Sequence, residues 1–561
     1  MEKLVASDAD NGDRFGQAVA IDGDVVVSGA FRADDLGLSS GSTYVYRFDG
    51  ASWVEEVELH ASDGAGGDRF GWSVDVSGDR LIVGAREDDD GGSNSGSAYV
   101  FHFDGVAWSE EAKLTASDAQ ADDEFGFWVA IDGDVAVVGA SGEDSGGSEA
   151  GAAYVFRRSG SSWSQEAKLT ALDAAAGDGF GLNVDVRGDL VAVGADLESA
   201  AGSSAGAAYV FRHSGGAWTQ EIKLMPPSPG ANDRFGYAVS IGVDTLLVGS
   251  MNDDAPASSS GSAFVYRYDG TWSLEQQLVA SDASFADFFG WAVCLDGDVA
   301  VVGARLEDEG GSDSGAAYVY RYDSSTSTWG QEGKFVGSDT ASGDSFAYAL
   351  GAQGDRIVCG AWSDEDAGSD TGSAYVFTGA RFQDCNSNGV ADACDIFTGS
   401  SLDSNGDGLP DECSAGTPFC FGSLGTCPCG NGAGAIEGCA NSAGVGAFLY
   451  TTGTGSVSLD DFGLECVQLP PNKPSLAFSG ETMVSLSFGD GIRCVGGPIQ
   501  RLYVVSSDGS GFAAWPPSLS AQGGWTSGDT RWLQIWYRDA MGSPCGGGFN
   551  VSSGVEVEFV P

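Results

Sequence analysis

The chain has 561 residues and a formal net charge of −55, from 81 acidic against 26 basic side chains. That balance argues against nucleic acid or an anionic membrane as partner and suits a soluble surface that meets cations or basic groups. The length exceeds what one core usually serves, and no run of about 18 apolar residues is available to cross a bilayer.

Residues 1 to 381 read as seven copies of one unit. Its first landmark is a Phe, usually followed by Gly, at Phe15, Phe70, Phe125, Phe180, Phe235, Phe289 and Phe346, the last followed by Ala347. A fixed period of this size marks a stacked or radial repeat. Within each copy an alternating stretch such as Phe15 to Ile21 turns at a Gly-Asp pair (Gly23-Asp24, Gly78-Asp79) into a Val-rich strand ending in Gly-Ala. From there to the aromatic of the third strand (Tyr44, Tyr99, Tyr154, Tyr209, Phe264, Tyr318, Tyr375) the distance is 14 residues in every copy. A fourth strand carries Trp53, Trp108, Trp163, Trp218, Trp272 or Trp329 and closes on Lys-Leu or a variant of it. Four antiparallel strands per repeat predict one propeller blade, and the whole an all-β, seven-bladed β-propeller.

The ends complete each other. The seventh copy stops at Phe382 with no Trp strand, while the chain opens on Glu2-Lys3-Leu4, which matches the end of that strand. The N-terminal strand is therefore expected to close the last blade and remove its open edge. Met1 leads straight into that strand, the beginning expected of a mature form whose targeting segment has been removed.

The pairing of Phe-Gly with Gly-Ala over residues 1–381 resembles the FG-GAP repeat of integrin alpha-subunit heads and their bacterial relatives. The resemblance implies a seven-bladed propeller that meets ligands on its longer-loop face. Calcium loops of that family lie between the first two strands of a blade. Here the connection is a bare turn such as Asp22-Gly23-Asp24, so those sites are not carried over.

Acidic residues gather on that face. Two positions before each Phe stand Asp13, Asp68, Asp123, Asp178, Asp233, Asp287 and Asp344. Three positions after Gly-Ala stand Asp88, Glu143, Glu198, Asp253, Glu307 and Asp364, with Ala33 the exception. Asp in turns caps backbone N–H groups, which is the reading for the first ring. The second ring is a solvated face or, in the functional reading, a site for a cation or a basic partner.

Residues 382–413 form a linker with hard-cation chemistry. Asp384, Asn386, Asn388, Asp392 and Asp395 place oxygens at positions 1, 3, 5, 9 and 12 of a loop with Gly389 at 6 and the Val390 carbonyl at 7. A second loop offers Asp403, Asn405, Asp407, Asp411 and Glu412 with the Leu409 carbonyl. Six to eight oxygens suit Ca2+, which would order this segment into a stiff spacer. The tandem loops, with Cys394 and Cys413 at matching places, resemble thrombospondin type 3 repeats and dockerin-like calcium segments.

Residues 414–561 alternate apolar and polar stretches between Gly, Pro and Ser turns, predicting a disulfide-bonded β-sandwich. They resemble C-terminal modules of secreted bacterial repeat proteins. Ten of the 12 Cys lie between residues 385 and 545, a density that predicts a disulfide framework and an extracellular or cell-surface location. Zinc at Cys420, Cys427, Cys429 and Cys439 is the rival reading, with no His among them. Cys294 and Cys359 read as buried thiols. Trp532, Gln534, Trp536 and Arg538 fall on one strand face, to pack against a second sheet or to bind sugar rings.

Three His, at His60, His102 and His213, lie in different blades, and no nucleophile or phosphate-cradling motif is present. The chain thus reads as a monomeric, secreted, calcium-binding recognition or adhesion protein whose partner is an extracellular protein or a polysaccharide. A carbohydrate-active enzyme on a propeller scaffold and a structural envelope protein are the alternatives.

Overall fold

A computed structural model describes residues 1–324, 326–354, 356–378, 416–419, 447–452, 462–488, 491–509, 511–515, 519, 523–526, 529–539 and 549–558. The chain divides into two compact units, Met1–Cys394 and Asp395–Pro561.

In the first unit the repeats form seven four-stranded antiparallel sheets. Their inner strands, for blades 1 to 7, are Ala18–Asp22, Phe70–Ser77, Val129–Asp132, Val184–Arg187, Phe235–Ile241, Phe289–Asp296 and Phe346–Gln353. Blade 2 shows the plan: Phe70–Ser77, Arg80–Ala85, Ser97–Phe103 and Trp108–Leu114 pair in order, the second strand wholly buried and the fourth buried only at its ends, Trp108 and Leu114. The expected partner of the seventh sheet is in place. Glu2–Leu4 lies antiparallel to Ser373–Thr378, with Glu2 opposite Val376 and Leu4 opposite Ala374.

The Phe-Gly signature is an inter-blade joint. The backbone N–H of each of the seven Phe donates to a carbonyl of the preceding blade, as Phe125 does to Ser95 at 3.0 Å. Phe15 of blade 1 does the same to Thr371 of blade 7 at 2.9 Å. The glycine that follows has a positive φ, +86° at Gly71, and a Cβ there would overlap the Ser42 carbonyl oxygen. Blade 7 holds Ala347 at the equivalent place with φ +63°. Each Phe ring is buried and meets the third-strand aromatic edge-on, Phe70 to Tyr99 at 5.6 Å between centroids. Apolar residues of neighbouring sheets then share clusters, such as Val25, Val27 and Val45 with Val74, Leu81 and Val83. Leu4, Phe15 and Val26 join Val358 and Val376 in the same way.

In the second unit a five-stranded sheet runs Gly416–Phe419, Phe549–Glu558, Thr530–Arg538, Pro474–Gly480, Gln500–Ser506. Phe448–Thr452, Gly463–Val467 and Ala513–Trp515 form a three-stranded sheet, and Thr482–Phe488 with Gly491–Gly496 a two-stranded one. Leu449, Leu464 and Trp515 of the three-stranded sheet share a core with Leu533, Ile535, Tyr537 and Val555 of the five-stranded sheet. Trp532 and Trp536 pack against Phe478, Val495 and Val551. Gln534 between them is buried and bonds the backbone of Ile492, Cys494 and Ser552, so this face is packed. Arg538 is exposed. Cys466 is a free, buried thiol and stands outside any disulfide framework, whereas Cys494 is disulfide-bonded. Cys294 and Cys359 likewise stand outside any disulfide.

Candidate binding face of the propeller

The long loops and the start of every inner strand share one face of the disc, and the sequence-predicted acidic residues lie there, but turned inward. The ring before each Phe is buried, and each member caps its own loop, as Asp68 accepts from the Ala65 N–H at 2.7 Å. Burial raises the Asp68 carboxyl, against the Ala65 hydrogen bond that lowers it. Burial likewise pushes Asp344 up to about 6.

Five members of the second ring are also buried, and each meets an ammonium. Lys113 Nζ lies 2.8 Å from Asp63, 3.0 Å from Asp88 and 2.6 Å from Asp90. Lys168 joins Asp118 and Glu143, Lys223 joins Asp173 and Glu198, and Lys334 joins Asp282, Glu307 and Glu309. Lys3, from the N-terminal strand, joins Asp339, Asp364 and Asp366 of blade 7. Each ammonium sits 5.2 to 5.5 Å from the centroid of a buried Tyr. The Tyr99 hydroxyl donates to Asp63 and Asp88. Burial alone would lower the Lys113 ammonium, but hydrogen bonds to Asp63, Asp90 and Asp88 carry it above its usual range. These are internal ion clusters that tie the connector before a blade to its loop and outer strand. Asp88, Glu143, Glu198, Glu307 and Asp364 do not present free carboxylates to a partner.

Two blades depart. Blade 5 loses the whole cluster together: Phe264 replaces Tyr, Gln277 replaces Lys, Ser228 replaces Asp, and half-buried Asp253 accepts from Gln277 at 3.3 Å. Blade 1 keeps Tyr44 and Asp8, 2.9 Å apart, yet holds Glu58 where the Lys would be and Ala33 where the loop acid would be. Asp35, Glu58 and His60 there bring ligand atoms within 4.8 Å of one another.

What the same face does present is a belt of aromatic and arginine side chains at the axis, contributed by the residues that follow Phe-Gly and Gly-Ala and, for Arg14, Arg69 and Arg234, by the residue just before the Phe. On one side Phe31, Trp72 and Phe127 form a chain with centroids 4.8 and 5.7 Å apart. On the other Tyr237, Trp291, Tyr348 and Trp362 succeed one another at 4.7, 5.3 and 4.5 Å, the last pair stacked. Guanidinium groups lie over the indoles: Arg86 on Trp72 at 3.7 Å, Arg305 on Trp291 and Arg14 on Trp362 at 4.0 Å. Cation–π contacts of this kind are worth about 0.5–2 kcal/mol, more as water is excluded.

The arginines are unequally compensated. Arg69 and Arg86 pair with Glu87, Arg86 also with Glu124, and Arg234 with Asp196. Arg14 and Arg305 have no carboxylate partner within 4.0 Å among the described residues, and their Nε atoms are buried without a hydrogen bond. Burial lowers the Arg305 guanidinium, as burial and Arg32 lower Arg14. Burial pushes the Tyr348 hydroxyl up against the pull of Arg305, Gln17, Arg14 and Arg86, so cations of blades 1, 2 and 6 act on one ring of blade 7. Below the belt runs an axial channel of about 420 Å³ lined by the inner strands. Asp75 and Asp185 line it, pushed up by burial to about 8 and about 6 and bonded to the N–H of Ile131 and Ile241 in the next blades.

Sequence reading missed this belt because a blade supplies from none to three of its members, at positions that vary among aromatic, aliphatic and charged residues. The alternation Trp72, Phe127, Tyr237, Trp291, Tyr348 after Phe-Gly or Phe-Ala was the available signal. The residues expected to hold calcium, Asp384, Asn386, Asn388, Val390, Asp392, Asp395, Asp403, Asn405, Asp407, Leu409, Asp411 and Glu412, lie outside the described residues, as do Cys420, Cys427, Cys429 and Cys439.

Seven sheets of four antiparallel strands, each sealed to the next by its Phe, define a seven-bladed β-propeller. A family model for the FG-GAP repeat matches residues 1–46, 53–101, 108–156, 163–211, 218–266, 272–320 and 329–377, and the chain belongs to that family. No curated protein matches the sequence. Among solved structures, the crystal structure of Saccharomyces cerevisiae Sqt1 is similar over 67% of this chain and 86% of that one, at 12% identity and a TM-score of 0.40.

Proposed function

We propose that this is a secreted or cell-surface recognition protein that holds an extracellular protein or a polysaccharide against the axial mouth of its loop face. The observation that carries it is the belt of aromatic rings with Arg14 and Arg305 lacking carboxylate partners, on a face whose five cluster lysines are each engaged by acids. Aromatic and arginine side chains are the residues that dominate binding interfaces. The mouth therefore replaces the acidic loop residues as the proposed contact surface. Residues 382–413 supply a calcium-ordered spacer in this reading, and the C-terminal unit a disulfide-bonded β-sandwich.

The direct test screens polysaccharides and extracellular proteins for quenching of tryptophan fluorescence in the full chain and in an Arg14→Gln, Arg305→Gln double variant. A partner that binds the parent and loses about tenfold or more in the variant supports the reading. Partners that bind both equally would overturn it, and new reducing or unsaturated ends in the assay would move it to a carbohydrate-active enzyme. Calorimetry with Ca2+ on the full chain and on residues 1–381 tests the spacer. The spacer reading expects about two ions in the first and none in the second, at roughly 10⁻⁴ to 10⁻³ M affinity. Strong binding by residues 1–381 would place the ions in the blades instead.

A further inference from the structure

We infer that the ligand of the axial mouth is a carboxylated saccharide, a chain of uronate-type sugars, an inference that rests on the recognition reading above and narrows it.

Two observations fix the chemistry. The first is the arc of Tyr237, Trp291, Tyr348 and Trp362, four rings in succession from blades 5, 6 and 7. Flat aromatic surfaces pack against the C–H faces of sugar rings, and a run of them suits a chain of rings rather than a single side chain. The second is the pair of guanidinium groups laid on that run, Arg305 over its second ring, Trp291, and Arg14 over its last, Trp362. Neither has a carboxylate partner among the described residues, and burial lowers both. A guanidinium kept from water without an acid stands to gain most from an incoming carboxylate, which it meets with two parallel N–H donors. A neutral sugar would satisfy the rings and leave the arginines unpaired.

The rest of the surface sharpens the choice. With a net charge of −55 the protein repels an anionic polymer everywhere except where cations lack internal partners. The five lysines of the ion clusters are saturated by acids, which leaves the arginines over the mouth rings as the cations that an acidic chain of sugars would meet together with aromatic surface. Its binding should weaken as salt rises.

The experiment is calorimetry of the full chain with a short oligogalacturonate, its methyl ester, a neutral glucan oligomer and a sulfated glucan oligomer. The expected result is binding of the oligogalacturonate, a loss of about tenfold or more on esterification, and a similar loss in Arg305→Gln and Arg14→Gln. Arg305→Lys should recover part of it, since the charge returns without the fork. Each variant is checked for parental melting, and Arg321→Gln, in an exposed ion pair with Glu332, serves as the off-site control. Equal affinity for acid and ester overturns the inference, as does preference for the sulfated oligomer. If a protein or a neutral glycan quenches the mouth tryptophans while the uronate does not, the inference fails and the recognition reading stands. If the uronate binds with no response to either arginine variant, both fail.

Discussion

The lysine clusters and the axial mouth use the same charge chemistry to opposite ends. In the clusters each ammonium has at least two carboxylates within 3.0 Å and a tyrosine ring beneath it. In the mouth Arg14 and Arg305 have the aromatic ring and lack the carboxylate. A cation saturated by its own chain holds the fold together. One left unsaturated keeps its interaction for a partner, at some cost in stability. Blade 5 shows that the cluster is a unit, since Lys, Tyr and the connector Asp are replaced together by Gln277, Phe264 and Ser228.

The largest effect that breaks this comparison should come from the N-terminus. Deleting residues 1–6 removes the outer strand of blade 7 and with it Lys3, which lies 2.8 Å from buried Asp364. The strand Ser373–Thr378 gains an open edge. Loss of the ammonium from a cluster whose Asp364 is buried while Asp339 and Asp366 reach solvent costs about 1–3 kcal/mol, and the strand adds to it. Denaturant unfolding should show a loss above about 4 kcal/mol with aggregation, and a truncated protein that melts like the parent would refute the joint role of this strand.

Next comes a matched pair. Lys113→Met leaves Asp63, Asp88 and Asp90 facing one another with Asp88 buried, and should cost about 3 kcal/mol. Arg305→Met removes a guanidinium that burial lowers and no acid supports, so its melting should stay within about 0.5 kcal/mol of the parent or rise. Equal destabilisation by both would erase the distinction between structural and presented cations. Tyr99→Phe is the smaller version on the cluster side, losing two hydrogen bonds to Asp63 and Asp88 for about 1 to 2 kcal/mol.

How much of this was legible in the sequence follows from which contacts are periodic. The Phe-Gly and Gly-Ala landmarks recur every 54 to 57 residues and gave blade number, strand order and the place of Glu2–Leu4. The invariant Asp before Phe was readable as a cap, because its partner is three residues away, as Ala65 is from Asp68. The acids after Gly-Ala misled, because their lysine partner sits 25 residues further on, Lys113 from Asp88, in a strand whose ending reads only as Lys-Leu. The mouth was harder still. Arg14 and Trp362 belong to opposite ends of the repeat array and meet only because blade 1 follows blade 7 in the ring.

The smallest effect is the most discriminating, since it asks whether blade 1 is a cluster that lacks only its cation. Burial pushes the Glu58 carboxyl up to about 7, against the Ser42 hydrogen bond, with Asp8 and Asp35 raising it further. A folded-state value above the ordinary one means that the folded protein holds a proton the unfolded chain has released. The stability this contributes is complete below about 4.5, the usual glutamate range, and is lost as pH rises through about 7. Glu58→Gln, neutral throughout, should therefore match the parent near pH 5 and exceed it at pH 8. The gain is about 1 kcal/mol once solvent screening of this half-exposed group is counted. Glu58→Lys goes further, placing an ammonium beside Asp8 and Asp35 as Lys168 stands beside Asp118 and Glu143, and it should stabilise at pH 8 by at least as much. Melting curves of the three proteins across that range settle it. A Gln variant whose advantage does not change with pH, or a Lys variant that destabilises, would mean that blade 1 has been rebuilt around Glu58 and is no longer the same cluster.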